Sequence, residues 1–358
     1  MNLIDQAIQR GATYLHLAVG VVPYARILDG LYPLNDAPLD AVTIQTLLKE
    51  LMVDSDAGVH PDHFDSLVPD ETSLTTCFDK TINAKCKLRV HVYSHPNGLA
   101  LVIKLIRTTI PTLDQLEFPA AIKKIIDERE TGLLLLSGLK NHGSSTTLAA
   151  VTEYINQTQA RHIISFHNKI GHEHTNKKSI VGQYELPTDL SALKSDCQEV
   201  SNSNVDVVIF DGLSSRDFVD QDLISMAQHS LVIHVSHNLS ASRCLFGLFE
   251  YLDGTAKYDE VRVLLSRTLR ACVHQVLVPT TDQKARVVYE VLVGTWPVRC
   301  MLAENKTASF ISTMFLDKKD GMNTLDQHLK VLFEQGVITR ETGLKFVIDK
   351  GFFLRGDG

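Results

Sequence analysis

A chain of 358 residues is long enough for two domains, each with a core of its own. An apolar fraction of 44% beside 22% charged residues is the composition of a folded, soluble globular protein. A net charge of −7 with no run of lysine or arginine excludes the electrostatic footprint of a nucleic-acid binder. Residues 1–20 lack the basic start and apolar core of a secretory signal, and no uninterrupted apolar stretch approaches the length of a bilayer span, so a cytoplasmic protein is expected. The six cysteines are scattered without a C-x-x-C pair; they read as small buried apolar residues rather than as a zinc ribbon or a disulfide framework.

In chain order, Leu3, Ile4, Ala7 and Ile8 recur at helical spacing and Gly11 supplies a stop. "TYLHLAV" alternates like a strand, and "LDAVTIQTLLKELM" has helical period. "KCKLRVHVYSHPNGLALVIKLI" reads as two strands around an Asn-Gly turn. This is a small α+β domain over residues 1–107, followed by a linker over 108–119 framed by Pro111 and Pro119. Over 120–358 strand and helix patterns alternate: strand 133–136, helix 144–156, strands 162–166, 205–210 and 231–235, then a mainly helical end. Such alternation predicts an α/β domain with a largely parallel sheet and helices on both faces. "NVDVVIFDG" is an almost continuous apolar run closed by Asp211, the form of a buried central strand that brings an acid to the carboxyl edge of the sheet.

One short stretch carries the chemistry. "GLKNHGSSTTLAA" begins as a phosphate-binding loop, G-x-x-x-x-G-K-[ST], in which backbone amides and a helix N-terminus hold phosphates and the lysine reaches the outer groups. Gly138 and Gly143 have the required spacing, but Ser144 stands where the lysine belongs.

Taken together and in order, these segments resemble the type IV pilus retraction ATPases of the PilT type, within the secretion-ATPase superfamily. "GATYLHL" is similar to the family's G-A-S-D-L-H-L, and "RTTIPTLDQLEFP" to its interdomain segment. "GSSTTLAA" differs from G-K-S-T-T-L-A-A at one residue. "GTWPVRCMLAENK" resembles the A-I-R-N-L-I-R-E region used in retraction, and "GMNTLDQHLKVLFEQGVITRE" the C-terminal helices.

The resemblance implies a PAS-like N-terminal domain and a RecA-like P-loop NTPase domain assembled as a ring of six. The departures fall where chemistry occurs. In "FHNKIG", His167 stands for the glutamate expected as general base, Asn168 for the aspartate and Gly171 for the second glutamate of the family's acidic box. Asp211 comes one position early in the Walker B segment, leaving Gly212 where its acid belongs. His237 is kept from the histidine box, whose earlier position is Ser230. Ser145 and Thr146 align without a gap, and Ser145 is the hydroxyl that meets magnesium if a metal nucleotide binds.

Magnitudes set the expectation. A lost charge-assisted hydrogen bond costs about 1.5 to 3 kcal/mol, leaving weak binding of ATP or ADP with Mg²⁺ possible. Loss of a positioned base costs a further ~10² to 10⁴ in rate. The expected result is a catalytically degenerate subunit, with no intact catalytic residue among His167, Gly212 and His237. A weak ATPase in which Lys140, Asp211 and His167 stand in for the usual groups is the alternative. Lys140 either bends toward the phosphates or is a solvated loop residue, the reading the loop geometry favours. Convergence of His167, His172, His174, His234 and His237 on a metal would need three or four ligands in regular geometry; half-exposed, hydrogen-bonded imidazoles are the favoured reading, and no metal site is expected. Arg89 and Arg107 fall where family members extend arginines toward the nucleotide of a neighbouring subunit, although "RTTIP" carries a one-residue insertion. Implied partners are further copies of the chain or an active paralogue, and an inner-membrane pilus platform protein, which would hold the subunit peripherally at the cytoplasmic face of that membrane.

Overall fold

The computed structural model describes residues 2–28, 30–53, 75–187, 189–214, 217, 224–250, 257–306 and 309–355. They divide into two compact units, Met1–Thr109 and Ile110–Gly358.

The first unit contains α1 (Asn2–Gln9), β1 (Tyr14–Ala18), β2 (Tyr24–Ile27), β3 (Gly30–Pro33), α2 (Ala41–Met52), β4 (Thr75–Asn83), β5 (Cys86–His95) and β6 (Gly98–Arg107). The strands form one antiparallel sheet in the order β3-β2-β1-β6-β5-β4. In β6 alternate residues turn inward, so Leu101 and Ile103 meet Leu15, Leu88 and Val90 in the core. Helix α2 starts because Asp40 accepts a 2.7 Å hydrogen bond from the Thr43 amide, and its Ile44, Leu47, Leu48 and Leu51 stripe covers that apolar face.

The second unit contains α3 (Ala120–Glu128), β7 (Gly132–Gly138), α4 (Ser144–Thr158), β8 (His162–His167), β9 (Ile180–Glu185), α5 (Leu190–Asn202), β10 (Val207–Asp211), β11 (Leu231–Ser236), α6 (Ala241–Glu250), α7 (Tyr258–Thr268), β12 (Leu269–Pro279) and β13 (Ala285–Val293). Helices α8 (Trp296–Ala303), α9 (Phe310–Leu316), α10 (Leu325–Glu334), α11 (Arg340–Phe346) and α12 (Lys350–Leu354) follow. The sheet order is β13-β12-β7-β11-β10-β8-β9, parallel throughout except for the β12–β13 pair. Both faces are buried. Leu133 and Leu135 of β7 join the core under α5, α6 and α7, whereas Leu134 and Leu136 join the core under α3 and α4. Near-continuous apolar strands are what such a two-sided sheet demands. Leu113 and Phe118, from the segment between 110 and 119, are buried in that second core.

The expected helical end is corrected at one place. Residues 269–293 form a long antiparallel hairpin, β12 and β13, before the helices begin. Strand β12 is buried at nearly every position, so its apolar run lacks the alternation that marks a half-exposed strand, and the period gave no signal.

Candidate functional site

Four parallel strands end together at one edge of the second sheet. Their register puts Ser137 of β7 beside Ser236 of β11, and Asp211 of β10 beside His167 of β8. Gly138 and Gly143, the first turn of α4, His167, Asp211 and His237 therefore share the carboxyl edge, where ligands bind in open α/β sheets.

The loop from β7 to α4 is shaped by backbone that only small or turn-forming residues adopt easily. Asn141 and Gly143 lie at φ of +72° and +83°, and Gly143 is the N-cap of α4 without a side-chain capping bond. The first-turn amides of α4 are thus left for a ligand. A Cβ on Gly138 would stand 2.5 Å from Ser144 Oγ and 3.1 Å from the Gln275 carbonyl, so that position admits only glycine. The Ser144 side chain lies over this glycine, buried, and its hydroxyl has no hydrogen-bond partner. Ser145 is exposed and Thr146 half-buried, and Lys140 is exposed without an ion pair among the described residues.

The neighbouring strand holds the loop. Gln275 Nε2 of β12 donates to the His142 carbonyl at 2.7 Å, and the Leu277 amide donates to His142 Nδ1 at 3.0 Å. Because Nδ1 accepts, His142 is the neutral Nε2–H tautomer, in keeping with burial lowering its pKa. His237 Nδ1 donates to the Gly138 carbonyl at 2.9 Å, tying the end of β11 to the start of the same loop. Gln275 and His142 were missed from sequence. The one available signal was a polar pair, His274 and Gln275, inside an otherwise apolar strand.

At the ends of β8 and β10 the backbone is tightly closed. Gly212 has φ of +100°, and a Cβ there would stand 2.5 Å from Asn168 Cβ. The Asn168 amide donates to the Asp211 carbonyl at 2.8 Å, locking the two strand ends together. His167 Nδ1 is 3.6 Å from Asp211 Oδ2, beyond hydrogen-bond length, and its buried Nε2 has no partner.

His174 Nδ1 and Lys177 both bind Glu153 of α4, the former at 2.8 Å. Burial would raise the Glu153 pKa, but the hydrogen bonds from Lys177 and His174 win and hold it at about 2. His234 lies fully buried within β11, where burial lowers its pKa to about 3. Among the described residues no group of three His, Cys, Asp or Glu side chains is placed to hold a metal ion. Ser230 is turned away from this edge, donating to the Val205 carbonyl at 2.7 Å.

Arg89 belongs to the first unit. It is buried on β5 in a bidentate pair with Asp79, at 2.8 and 2.9 Å. Arg107 is exposed at the last position of β6. A buried acid that sequence reading passed over, Glu290 of β13, accepts from the Ala241 amide at 2.7 Å, and burial raises its pKa to about 7.

Comparison with known proteins agrees with this architecture. No family model matches the chain. The "Type IV pilus retractation ATPase PilT" of Pseudomonas aeruginosa is 26% identical over 340 residues, covering 95% of both chains. The "Twitching motility protein" of Neisseria gonorrhoeae is 27% identical over 320 residues, 89% of this chain and 82% of that one. The crystal structure of the pilus retraction motor PilT with bound ADP superposes with a TM-score of 0.75 at 25% identity, over 98% of this chain and 97% of that one. The chain is PilT-like. That likeness spans nearly the whole length of the chain. Among the described residues no helix is long and apolar enough to cross a membrane.

Proposed function

We propose that this PilT-like chain is a motor-fold subunit of a type IV pilus or related secretion machine that has lost hydrolysis, or nearly so, and acts as a binding or regulatory component. The observation that carries this reading is Ser144: a short buried hydroxyl, with no partner of its own, occupies the position from which a lysine would reach the outer phosphates. What supports residual binding is the uncapped first turn of α4 beyond Gly143, whose amides suit a phosphate. The solved PilT relative holds ADP, and ATP or ADP with Mg²⁺ is the ligand proposed here, with Gly138, Gly143, Ser145 and Thr146 around the phosphates. The missing cation weakens binding by roughly 10- to 150-fold. The missing acids at 167 and 212 remove a further ~10² to 10⁴ of rate.

In this reading the subunit works in a ring of six, of its own copies or with an active paralogue, docked on a membrane platform protein. Arg89 and Arg107 are carried over as candidates for reaching a neighbour's nucleotide. Arg89 would first have to leave Asp79, which makes Arg107 the better candidate.

A second reading, a weak ATPase, draws on the proximity of His167 to Asp211 and on the exposed Lys140. Calorimetric titration with MgADP, alongside phosphate release from MgATP, separates the two. Saturable heat without release supports the first. Release that disappears in Lys140→Ala and His167→Ala supports the second.

A further inference from the structure

At the opposite end of β7 from the phosphate loop lies a cleft of about 430 Å³, lined by Ile125, Arg129, Arg267, Arg270, Trp296 and Arg299, with Gly294 and Thr295 in its wall. Seven strand residues separate the two ends, a distance of about 20 Å at ~3.3 Å per residue. Four guanidinium groups therefore gather in a chain whose net charge is −7. Among the described residues no carboxylate lines the cleft and none of the four arginines forms an ion pair.

The cleft is built, with its parts held in place. Arg270 Nε donates to the Thr131 carbonyl at 2.9 Å. Gly132, at φ of +129°, lets the Arg270 side chain pass where a Cβ would stand 2.5 Å from it, and a Cβ on Gly294 would stand 2.4 Å from the Leu269 carbonyl. Burial first, and then the charges of Arg129 and Arg299, lower the Arg270 pKa, the signature of cations crowded without an anion. Two polar atoms of residues in the cleft wall, Arg299 Nε and Thr295 Oγ1, are buried with no hydrogen-bond partner. Thr295 is also the N-cap of α8 and makes no capping bond, so that helix N-terminus is open too. Buried donors left unmet are uncommon in folded proteins and costly, so the Arg299 guanidinium is poised for an acceptor that the chain itself does not supply. Trp296 stands at the rim 72% exposed, a flat aromatic face beside the cations.

We propose that this cleft binds a small phosphorylated ligand, its phosphate held by Arg129, Arg270 and Arg299 and its planar ring set against Trp296. Guanidinium forks match phosphate oxygens two at a time, and so dense a cluster of cations suits a multiply charged group rather than one carboxylate. The volume lies in the range of about 300 to 1,000 Å³ found for small-molecule sites. The site is separate from the phosphate loop and does not depend on whether that loop binds nucleotide.

Trp296 is the single tryptophan of the chain, so its fluorescence reports on this cleft alone. Pyrophosphate titrated into the full chain is expected to give a saturable change that weakens as salt rises. Arg129→Ala, an exposed substitution that should leave the thermal midpoint unchanged, and Arg299→Lys are each expected to weaken it about tenfold or more. ADP, which adds a ring, is expected to bind with a lower midpoint than pyrophosphate, with the same loss in Arg129→Ala. The proposal is overturned if soluble phosphates leave the fluorescence unchanged. It is likewise overturned if both variants respond as the parent does, or if only phosphatidylglycerol vesicles or polyglutamate produce a response.

Discussion

In the proposed reading, Gly212 is the residue at which a single change is least able to restore hydrolysis. Its φ of +100° and the 2.5 Å approach of Asn168 leave no space for the acid that the site would need. Gly212→Glu is expected to cost about 1 to 3 kcal/mol of stability without restoring turnover. A drop in the thermal midpoint with unchanged phosphate release would bear this out. Ser144→Lys is a separate case, because the position starts a helix and lysine is a good helix former. It is expected to tighten ADP binding roughly 10-fold or more by calorimetry while leaving hydrolysis near zero. Ser144 and Gly212 stand out in the sequence because they sit inside short motifs. Gln275 and His142 do not, since their bond joins positions 133 apart and only the folded sheet brings them together.

At the scale of elements, β12 and β13 carry buried titratable groups of opposite sign. Burial lowers the His274 pKa to about 4, and lowers those of His142 and His328 as well. A histidine whose folded value is depressed binds fewer protons folded than unfolded. Stability therefore falls as pH drops below about 6.5, and for His274 the loss reaches about 3 kcal/mol near pH 4. Glu290 works the other way. Its folded pKa of about 7 lies above the ordinary 4.5, so stability falls as pH rises from 4.5 to 7. Glu290→Gln removes that second loss and keeps an acceptor for the Ala241 amide. Denaturant unfolding at pH 5 and pH 8 should show the variant gaining up to about 3 kcal/mol on the parent over that interval. If the variant gained nothing at pH 8, Glu290 would not be carrying a buried charge.

The hairpin itself was the main element the sequence concealed. Buried on both faces and flanked by helices, β12 sets His274 and Gln275 inside an otherwise apolar run, a pattern that fits a buried helix as well as a strand. Strand β7 was legible because a short apolar run ends in glycine, and α4 because its helical pattern opens directly after Gly143.

On the scale of the whole molecule, the chain has the architecture of its PilT relatives, and the proposed loss of hydrolysis rests on Ser144, His167 and Gly212. The α/β order was readable because parallel strands are uniformly apolar and end in turn residues. Assembly is carried by resemblance alone, because a ring is made by surfaces that no hydrophobic period marks. Sedimentation at micromolar concentration is expected to show a hexamer or, with an active paralogue present, a mixed ring; a strict monomer under both conditions would remove the ring from the account. The most direct test of the central claim is phosphate release from MgATP by the purified full chain. No release above the buffer rate, in a protein whose Arg129→Ala variant still binds ADP by calorimetry, is the expected result. Brisk magnesium-dependent turnover that Lys140→Ala or His167→Ala abolishes would contradict it.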